Sequence, residues 1–174
     1  SRPFKLFLSQ SFSEDYRQKI RDAVEVAAAS ADMDILVGDE KTGRGKPARE
    51  IVRKIDLRIV EADCLLCVVT PPPDEKPSPR WLVRTNQSPS LRSLPLGNWY
   101  AFECALAYAR NKPLVIMSHK QTFDATQRIF GWTEVRTFDT TDASSKEFSA
   151  ELRTAITTLN RELLQQIKDS LAQR

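Results

Sequence analysis

NWYAFECALAYARNKPLVIM, residues 98–117, is the stretch that decides the fold of this chain. From Trp99 onward its first half contains no Gly or Pro, is rich in Ala and Leu, and repeats apolar residues at helical spacing, which predicts a helix. Asn111 and Lys112 then place a turn residue and a cation at the helix end, and Pro113 prevents continuation. The LVIM run that follows has the length of a short buried strand, so the predicted unit is loop, helix, turn and strand.

One ionisable side chain in this helix stands where apolar neighbours could change its chemistry. Glu103 follows Trp99 by four residues, so the carboxylate and the indole share one helix face, one turn apart. A structural explanation also exists, because Glu is a good helix former and favours the positive end of the helix dipole. Features elsewhere in the chain are needed to distinguish a chemical role of Glu103 from a purely helix-stabilising one.

Composition and charge exclude several classes of protein. The chain has 174 residues and is 41% hydrophobic, which suits one domain with a real core. Its net charge of +3 comes from 26 basic and 23 acidic residues spread along the sequence, unlike the basic stripe of a nucleic-acid binder. No apolar stretch reaches the ~20 residues of a membrane span, and the apolar part of the N-terminus is too short for a signal peptide. We expect a single cytoplasmic domain, residues 1–174, with no nucleic-acid or membrane partner.

The cysteines and the histidine carry little sign of chemistry. Cys64 and Cys67 form a CxxC pair, but the pair lies inside the apolar run CLLCVVT without a second pair, which favours buried strand residues over a redox pair or a zinc site. The third cysteine is Cys104. The lone His119 has no Ser or Cys partner that the sequence indicates, so we expect no catalytic role for it. No metal and no bound cofactor are predicted.

Short apolar runs alternate with helical patterns along the whole chain. The predicted strands are residues 3–9, 33–37, 64–69, 114–117 and 134–138, and the predicted helices begin near residues 13, 47, 99, 122 and 145. This alternation predicts an α/β fold: a flavodoxin-like five-stranded parallel sheet of order 2-1-3-4-5 with helices on both faces. Pro47 suits the first position of its helix.

The last helix, residues 145–172, is predicted to start with a capping box made by Ser144 and Glu147. Its apolar stripe runs from Phe148 to Leu171. Such a helix is longer than a sheet of this size needs, which indicates an end that projects towards a partner or a further domain.

Two loops interrupt the alternation. Residues 38–46, GDEKTGRGK, hold three of the five glycines together with charges of both signs, so this backbone can approach a ligand or a partner. Residues 71–97 hold seven of the ten prolines and form a long insert, for which a functional segment and a disordered one stay equal alternatives. Neither loop matches GxGxxG or a Walker motif.

The predicted strand order selects a ligand site. In a sheet of order 2-1-3-4-5 the crevice opens between the carboxyl ends of strands 1 and 3. That rule selects residues 10–12 after strand 1, the 71–97 insert after strand 3, and the first turns of the helix that holds Trp99 and Glu103. The glycine-rich loop after strand 2 lies beside them. This convergence favours a chemical role for Glu103.

The order of these features resembles a Toll/interleukin-1 receptor (TIR) domain of the NAD-cleaving type. The resemblance extends over most of residues 4–140 and rests on FLSQSF, the glycine-rich loop, PAREIVRKIDLRIVEADCLLCVVT, WYAFE and KPLVIM. The segment from Trp99 to Glu103 matches the WxxxE element of the enzymatic members. FECALAYARNKP is also similar to the nucleoside 2-deoxyribosyltransferases, relatives with a glutamate at the corresponding place.

This resemblance implies that Glu103 attacks or stabilises C1′ of a ribose while an N-glycosidic bond is cleaved, above all the nicotinamide bond of NAD⁺. Nicotinamide leaves a cationic ring as a neutral amine, so a single carboxylate suffices and no general acid is required. NAD⁺ is then a substrate and not a cofactor. The substrate-binding residues that the resemblance implies are Gln10, Ser11, Phe12, Asp39 and Trp99.

The resemblance also implies partners. Lys41, Arg44 and Lys46 match the mobile loop that governs assembly and access in the family, with self-association or other TIR domains as partners in immune or antiphage signalling. Two alternatives stay open. One is a non-catalytic TIR interaction module, and the other is a nucleoside 2-deoxyribosyltransferase-like enzyme, which would need a further acid such as Asp74 or Asp39.

Overall fold

The structure is a computed structural model that describes residues 2–10, 14–38, 47–70, 99–139 and 142–173. Its strands are β1 (Phe4–Gln10), β2 (Met33–Val37), β3 (Cys64–Val69), β4 (Leu114–His119) and β5 (Val135–Phe138). Its helices are α1 (Glu14–Ala29), α2 (Ala48–Glu61), α3 (Trp99–Ala109), α4 (Phe123–Ile129) and α5 (Lys146–Ala172), with a 3₁₀ turn at Lys120–Thr122. The strands form one sheet in the order β2-β1-β3-β4-β5, and every neighbouring pair is parallel. The predicted flavodoxin-like sheet is confirmed.

Helices cover both faces of this sheet. Every residue of β3 is buried, as expected of a central strand that is covered on both sides. One apolar layer packs the sheet against α1 and α5, with Leu8, Val24 and Phe148 among its buried residues. The other layer packs the sheet against α2, α3 and α4, with Phe7 and Tyr100 among its buried residues.

The decisive helix, turn and strand are present as predicted. After α3 ends, Asn111 takes a left-handed φ of 53°, and the Lys112 N–H donates to the carbonyl of Ala107 at 2.9 Å, which closes the helix end. The Lys112 ammonium donates to the carbonyl of Ala62 at 2.6 Å and ties this turn to the end of α2. β4 continues two residues beyond the predicted LVIM run, through Ser118 to His119.

Two helix starts were predicted one residue too early. Pro47 has a ψ of 139° and is the N-cap of α2 rather than its first helical residue. Ser145, not Ser144, caps α5, because its hydroxyl accepts the Phe148 N–H at 3.1 Å. The predicted capping box of Ser144 was wrong: its N–H and its hydroxyl both donate to Oδ1 of Asp142, at 2.9 and 2.6 Å, so it belongs to the preceding turn.

The apolar stripe of α5 is buried only over its first part. Leu163 is 6% exposed, whereas Ile167 and Leu171 are 43% and 63% exposed. A helix of 27 residues is about 40 Å long, while strands of four to seven residues span at most roughly 24 Å, so α5 outruns the sheet it covers. Within the described ranges, no helix combines the length and the apolar character needed to cross a lipid bilayer.

Candidate functional site

The first residue of the site is Ser9, near the carboxyl end of β1. Successive side chains of a strand point to opposite faces of the sheet. Phe7 packs in the layer under α2 and α3, and Leu8 packs in the layer under α1 and α5, so Ser9 faces the α3 side. Its side chain is 1% exposed. A buried hydroxyl needs a partner, and Ser9 finds one on α3.

That partner is Glu103, one turn into α3. The Oγ of Ser9 donates a short hydrogen bond to Oε2 of Glu103, although the two residues are 94 positions apart in the chain. The Glu103 side chain is partly buried. Burial raises the pKa of its carboxyl from the ordinary 4.5 to about 7, and the hydrogen bond from Ser9 opposes this rise. The carboxyl is therefore divided between its protonated and ionised forms near neutral pH.

The second oxygen of Glu103 faces bare backbone. Gly38 directly follows β2, and a Cβ placed on it would lie 3.9 Å from Oε1 of Glu103 and 3.9 Å from Cζ of Phe7. These are ordinary van der Waals distances, so the absence of a side chain at Gly38 leaves space beside Oε1. The carboxyl is thus held through Oε2, and Oε1 lies beside backbone that carries no side chain.

Gln10 was predicted to share this site, and it directly follows Ser9, the β1 residue that contacts Glu103. Gln10 is the last residue of β1 and pairs with Val68 of β3. Strand alternation turns it away from the Ser9 side and towards the layer of α1 and α5. Its amide nitrogen and oxygen are both buried, and neither has a hydrogen-bond partner among the described residues.

Most other predicted site residues lie outside the described residues. Trp99 is the first residue of α3, but the side chain of Trp99 lies outside what the structure describes. The packing of its indole on the substrate therefore stays a prediction. The remaining predicted residues outside the described ranges are Ser11, Phe12, Asp39, Lys41, Arg44, Lys46 and Asp74, together with the 71–97 insert.

Sequence reasoning missed Ser9, although a signal for it was present, whereas it placed the loop that begins at Gly38 beside the site. Ser9 is two residues after Phe7, so both side chains point to the same face of the sheet. A helix that covers this face must lie against both of them. Gly38 is the first residue of the predicted glycine-rich loop and the residue nearest to the end of β2. The predicted residues 10–12 lie just beyond Ser9, which is the last residue of β1 whose side chain points to the same face as Phe7.

Cys64 and Cys67 are buried strand residues, as predicted, and Cys104 is buried as well. Cys64, Cys67 and Cys104 are all free thiols. Burial raises the pKa of the Cys64 thiol to about 12 and raises the pKa of the Cys104 thiol well above its ordinary value. Such thiols are poor nucleophiles.

His119 has a structural role. Its side chain is 3% exposed, and its Nδ1 accepts the N–H of Gln121 at 3.1 Å. Burial lowers the pKa of its imidazole, so the neutral form is favoured. In the part of the chain that the structure describes, no three His, Cys, Asp or Glu side chains come together as a metal site.

Comparison with protein-family profiles finds no match, and comparison with curated proteins finds none either. Among solved structures, the chain is similar to a flavo di-iron protein from Thermotoga maritima at 14% identity and a TM-score of 0.50, over 91% of this chain and 35% of that one. The flavodiiron core from Synechocystis sp. PCC6803 aligns at 9% identity and a TM-score of 0.49, over 98% and 37% of the two chains.

The TIR domains of the activated Roq1 resistosome align at 13% identity and a TM-score of 0.37, over 95% of this chain and 98% of that one. The chain spans about a third of the length of the two flavodiiron proteins. The similarity to the Thermotoga maritima protein, at 14% identity, shows the α/β fold alone.

Proposed function

We propose that this protein is a TIR-type NAD⁺ glycohydrolase that cleaves the nicotinamide N-glycosidic bond, with Glu103 as its catalytic carboxylate. The observation that carries this proposal is the position of the Glu103 carboxyl: partly withdrawn from water, held by Ser9 through one oxygen, and facing bare backbone at Gly38 with the other. The choice of NAD⁺ rests on the resemblance of WYAFE and its neighbours to the enzymatic TIR domains.

The reaction suits a site with one acid. The bond between C1′ and the pyridinium nitrogen breaks, and its electron pair goes to that nitrogen, so nicotinamide leaves as a neutral molecule. The ribose is left with an oxocarbenium-like positive charge at C1′. Water adds to C1′ and releases a proton, which yields ADP-ribose. A carboxylate close to C1′ stabilises this cation most effectively where water is excluded.

The charge of the leaving group distinguishes this reaction from transfer of deoxyribose between bases. The pKa of the Glu103 carboxyl is raised by burial and lowered by the Ser9 hydroxyl, and no second carboxyl in the described residues contributes. A cationic leaving group needs no general acid, whereas transfer between neutral bases does. The acids nominated for such a role, Asp39 and Asp74, lie outside the described residues.

Self-association with copies of this chain or with other TIR domains is part of the proposal, as a means of switching on activity in immune or antiphage signalling. The test is therefore a nicotinamide-release assay on dilute protein, on concentrated protein, and on protein clustered through a fused oligomeric tag. The matched variants are Glu103→Gln and Glu162→Gln, the latter an exposed glutamate on α5.

We expect clustered wild-type protein and Glu162→Gln to release nicotinamide, and Glu103→Gln to lose roughly 100- to 1000-fold or more, the range for removal of an electrostatic stabiliser. Equal activity in Glu103→Gln would remove this residue from the mechanism. Exchange of deoxyribose between bases would establish a transferase. Absence of both reactions under forced clustering would leave a protein-interaction module.

A further inference from the structure

We propose that Ser9 is the positioning residue of the site: it holds Glu103 through Oε2, so that Oε1, beside the side-chain-free Gly38, is the oxygen that faces the sugar of the substrate. This inference rests on the proposed function. It adds that Oε1 of Glu103 is the acting oxygen, that Ser9 orients the carboxyl, and that the sugar enters beside Gly38.

Ser9 is well placed to orient a carboxylate. Its backbone is held in the middle of the sheet, where it pairs with Cys67 of β3 while the preceding residue pairs with Val37 of β2. Its side chain has one carbon and one hydroxyl, so few rotamers have to be restricted to aim the donor. Once Oε2 accepts this hydrogen bond, the orientation of the whole Glu103 carboxyl is set by rigid elements on both sides.

A hydroxyl also suits the chemistry better than a cation would. An Arg or Lys beside Glu103 would cancel much of the negative charge that must stabilise C1′. A neutral O–H favours the ionised carboxyl without neutralising it. In the described residues, the groups shown beside the Glu103 carboxyl are the Ser9 hydroxyl and the backbone at Gly38. Neither of these carries a positive charge.

Gly38 places no side chain next to Oε1 of Glu103. The nearest described atoms to a Cβ at this position are Oε1 of Glu103 and Cζ of Phe7, both at 3.9 Å. A first carbon is therefore accommodated, but a branched side chain would extend into the space next to Oε1. We infer that the reacting face of the sugar occupies this space, with the edge of Phe7 below it.

The test compares Ser9→Ala and Ser9→Thr with Ser118→Ala, a matched control. Ser118 is another fully buried serine near the carboxyl end of a strand, and its hydroxyl lies 3.0 and 2.9 Å from those of Thr122 and Thr126. The first readout needs no substrate: the Glu103 carboxyl is titrated by carbon-13 NMR in the whole protein. The second readout is the pH profile of nicotinamide release.

We expect Ser9→Ala to raise the midpoint of the Glu103 titration by about one pH unit or more, because a hydrogen bond to a charged group has been removed. kcat at neutral pH should fall by roughly 10-fold, Ser9→Thr should restore both values, and Ser118→Ala should change neither. A purely structural role for Ser9 would lower stability without moving the midpoint, and an unmoved midpoint in Ser9→Ala overturns the proposal.

Gly38→Leu tests the entry of the sugar. We expect it to raise KM for NAD⁺ at least 10-fold, with a smaller change in kcat, and Gly38→Ala to have a weaker effect in the same direction. An unchanged KM in Gly38→Leu overturns this part. If the wild-type protein neither binds nor cleaves NAD⁺, the proposed function and the role of Gly38 fail together, while the NMR titration still decides the role of Ser9.

Discussion

Replacing Glu103 by glutamine is expected to make the folded protein more stable at alkaline pH, even though it removes the proposed catalytic group. Burial raises the pKa of this carboxyl from 4.5 to about 7, so ionisation costs more free energy in the folded chain than in the unfolded chain. Each pKa unit corresponds to about 1.4 kcal/mol, which gives about 3 kcal/mol of unfolding free energy. Glutamine keeps the shape and an oxygen for the Ser9 hydroxyl, but it has no charge to desolvate.

The effect depends on pH with a definite sign. Because the folded pKa is raised, the stability contributed by the protonated carboxyl is complete below about pH 4.5 and is lost as the pH rises through about 7. Wild-type protein and Glu103→Gln should therefore differ by about 1 kcal/mol near pH 5 and by about 3 kcal/mol near pH 8. For a chain of this size the larger value corresponds to a rise in Tm of roughly 6–12 °C.

The assay is urea unfolding followed by circular dichroism at a series of pH values between 5 and 8. Glu162→Gln serves as the control, because it makes the same chemical change at an exposed position of α5 and should give no pH-dependent gain. The reasoning is refuted if Glu103→Gln is less stable than wild type near pH 8, or if their difference does not grow between pH 5 and pH 8.

The remaining predictions concern catalysis and α5. kcat/KM for nicotinamide release should rise with pH and level off above about pH 7, because Glu103 must be ionised; a pH–rate profile that falls over this interval would contradict it. Ser145→Ala should cost about 1 kcal/mol of unfolding free energy through loss of the N-cap, and Ser144→Ala less; equal losses in urea titrations would argue against the assigned cap. Leu163→Ala should cost about 2–5 kcal/mol, and the exposed Leu171→Ala under about 0.5 kcal/mol. Chemical denaturation measures both, and similar values would mean that the end of α5 is covered.

Part of the site could be predicted and part could not, for one physical reason. Glu103 could be nominated from the sequence because a rule about parallel sheets places the start of α3 at the carboxyl edge, and that rule needs only the order of the elements. Ser9 was missed because the choice between it and Gln10 depends on which face of the sheet α3 covers. Ser9 and Gln10 point to opposite faces of the sheet, and the sequence does not show which face α3 covers. The packing of α3 over Phe7 shows that it covers the face of Ser9.

The sequence by itself determined the five strands, the helices between them, their order in the sheet and the burial of Cys64 and Cys67. These follow from apolar periodicity and turn residues, which act within a few positions of the chain. Tertiary structure alone decided the partners of Glu103 and the rise of its pKa, because β1, the end of β2 and α3 supply groups that are far apart in sequence. The pKa of a carboxyl rises when neighbouring groups exclude water from it, and the neighbours of Glu103 come together only in the folded protein.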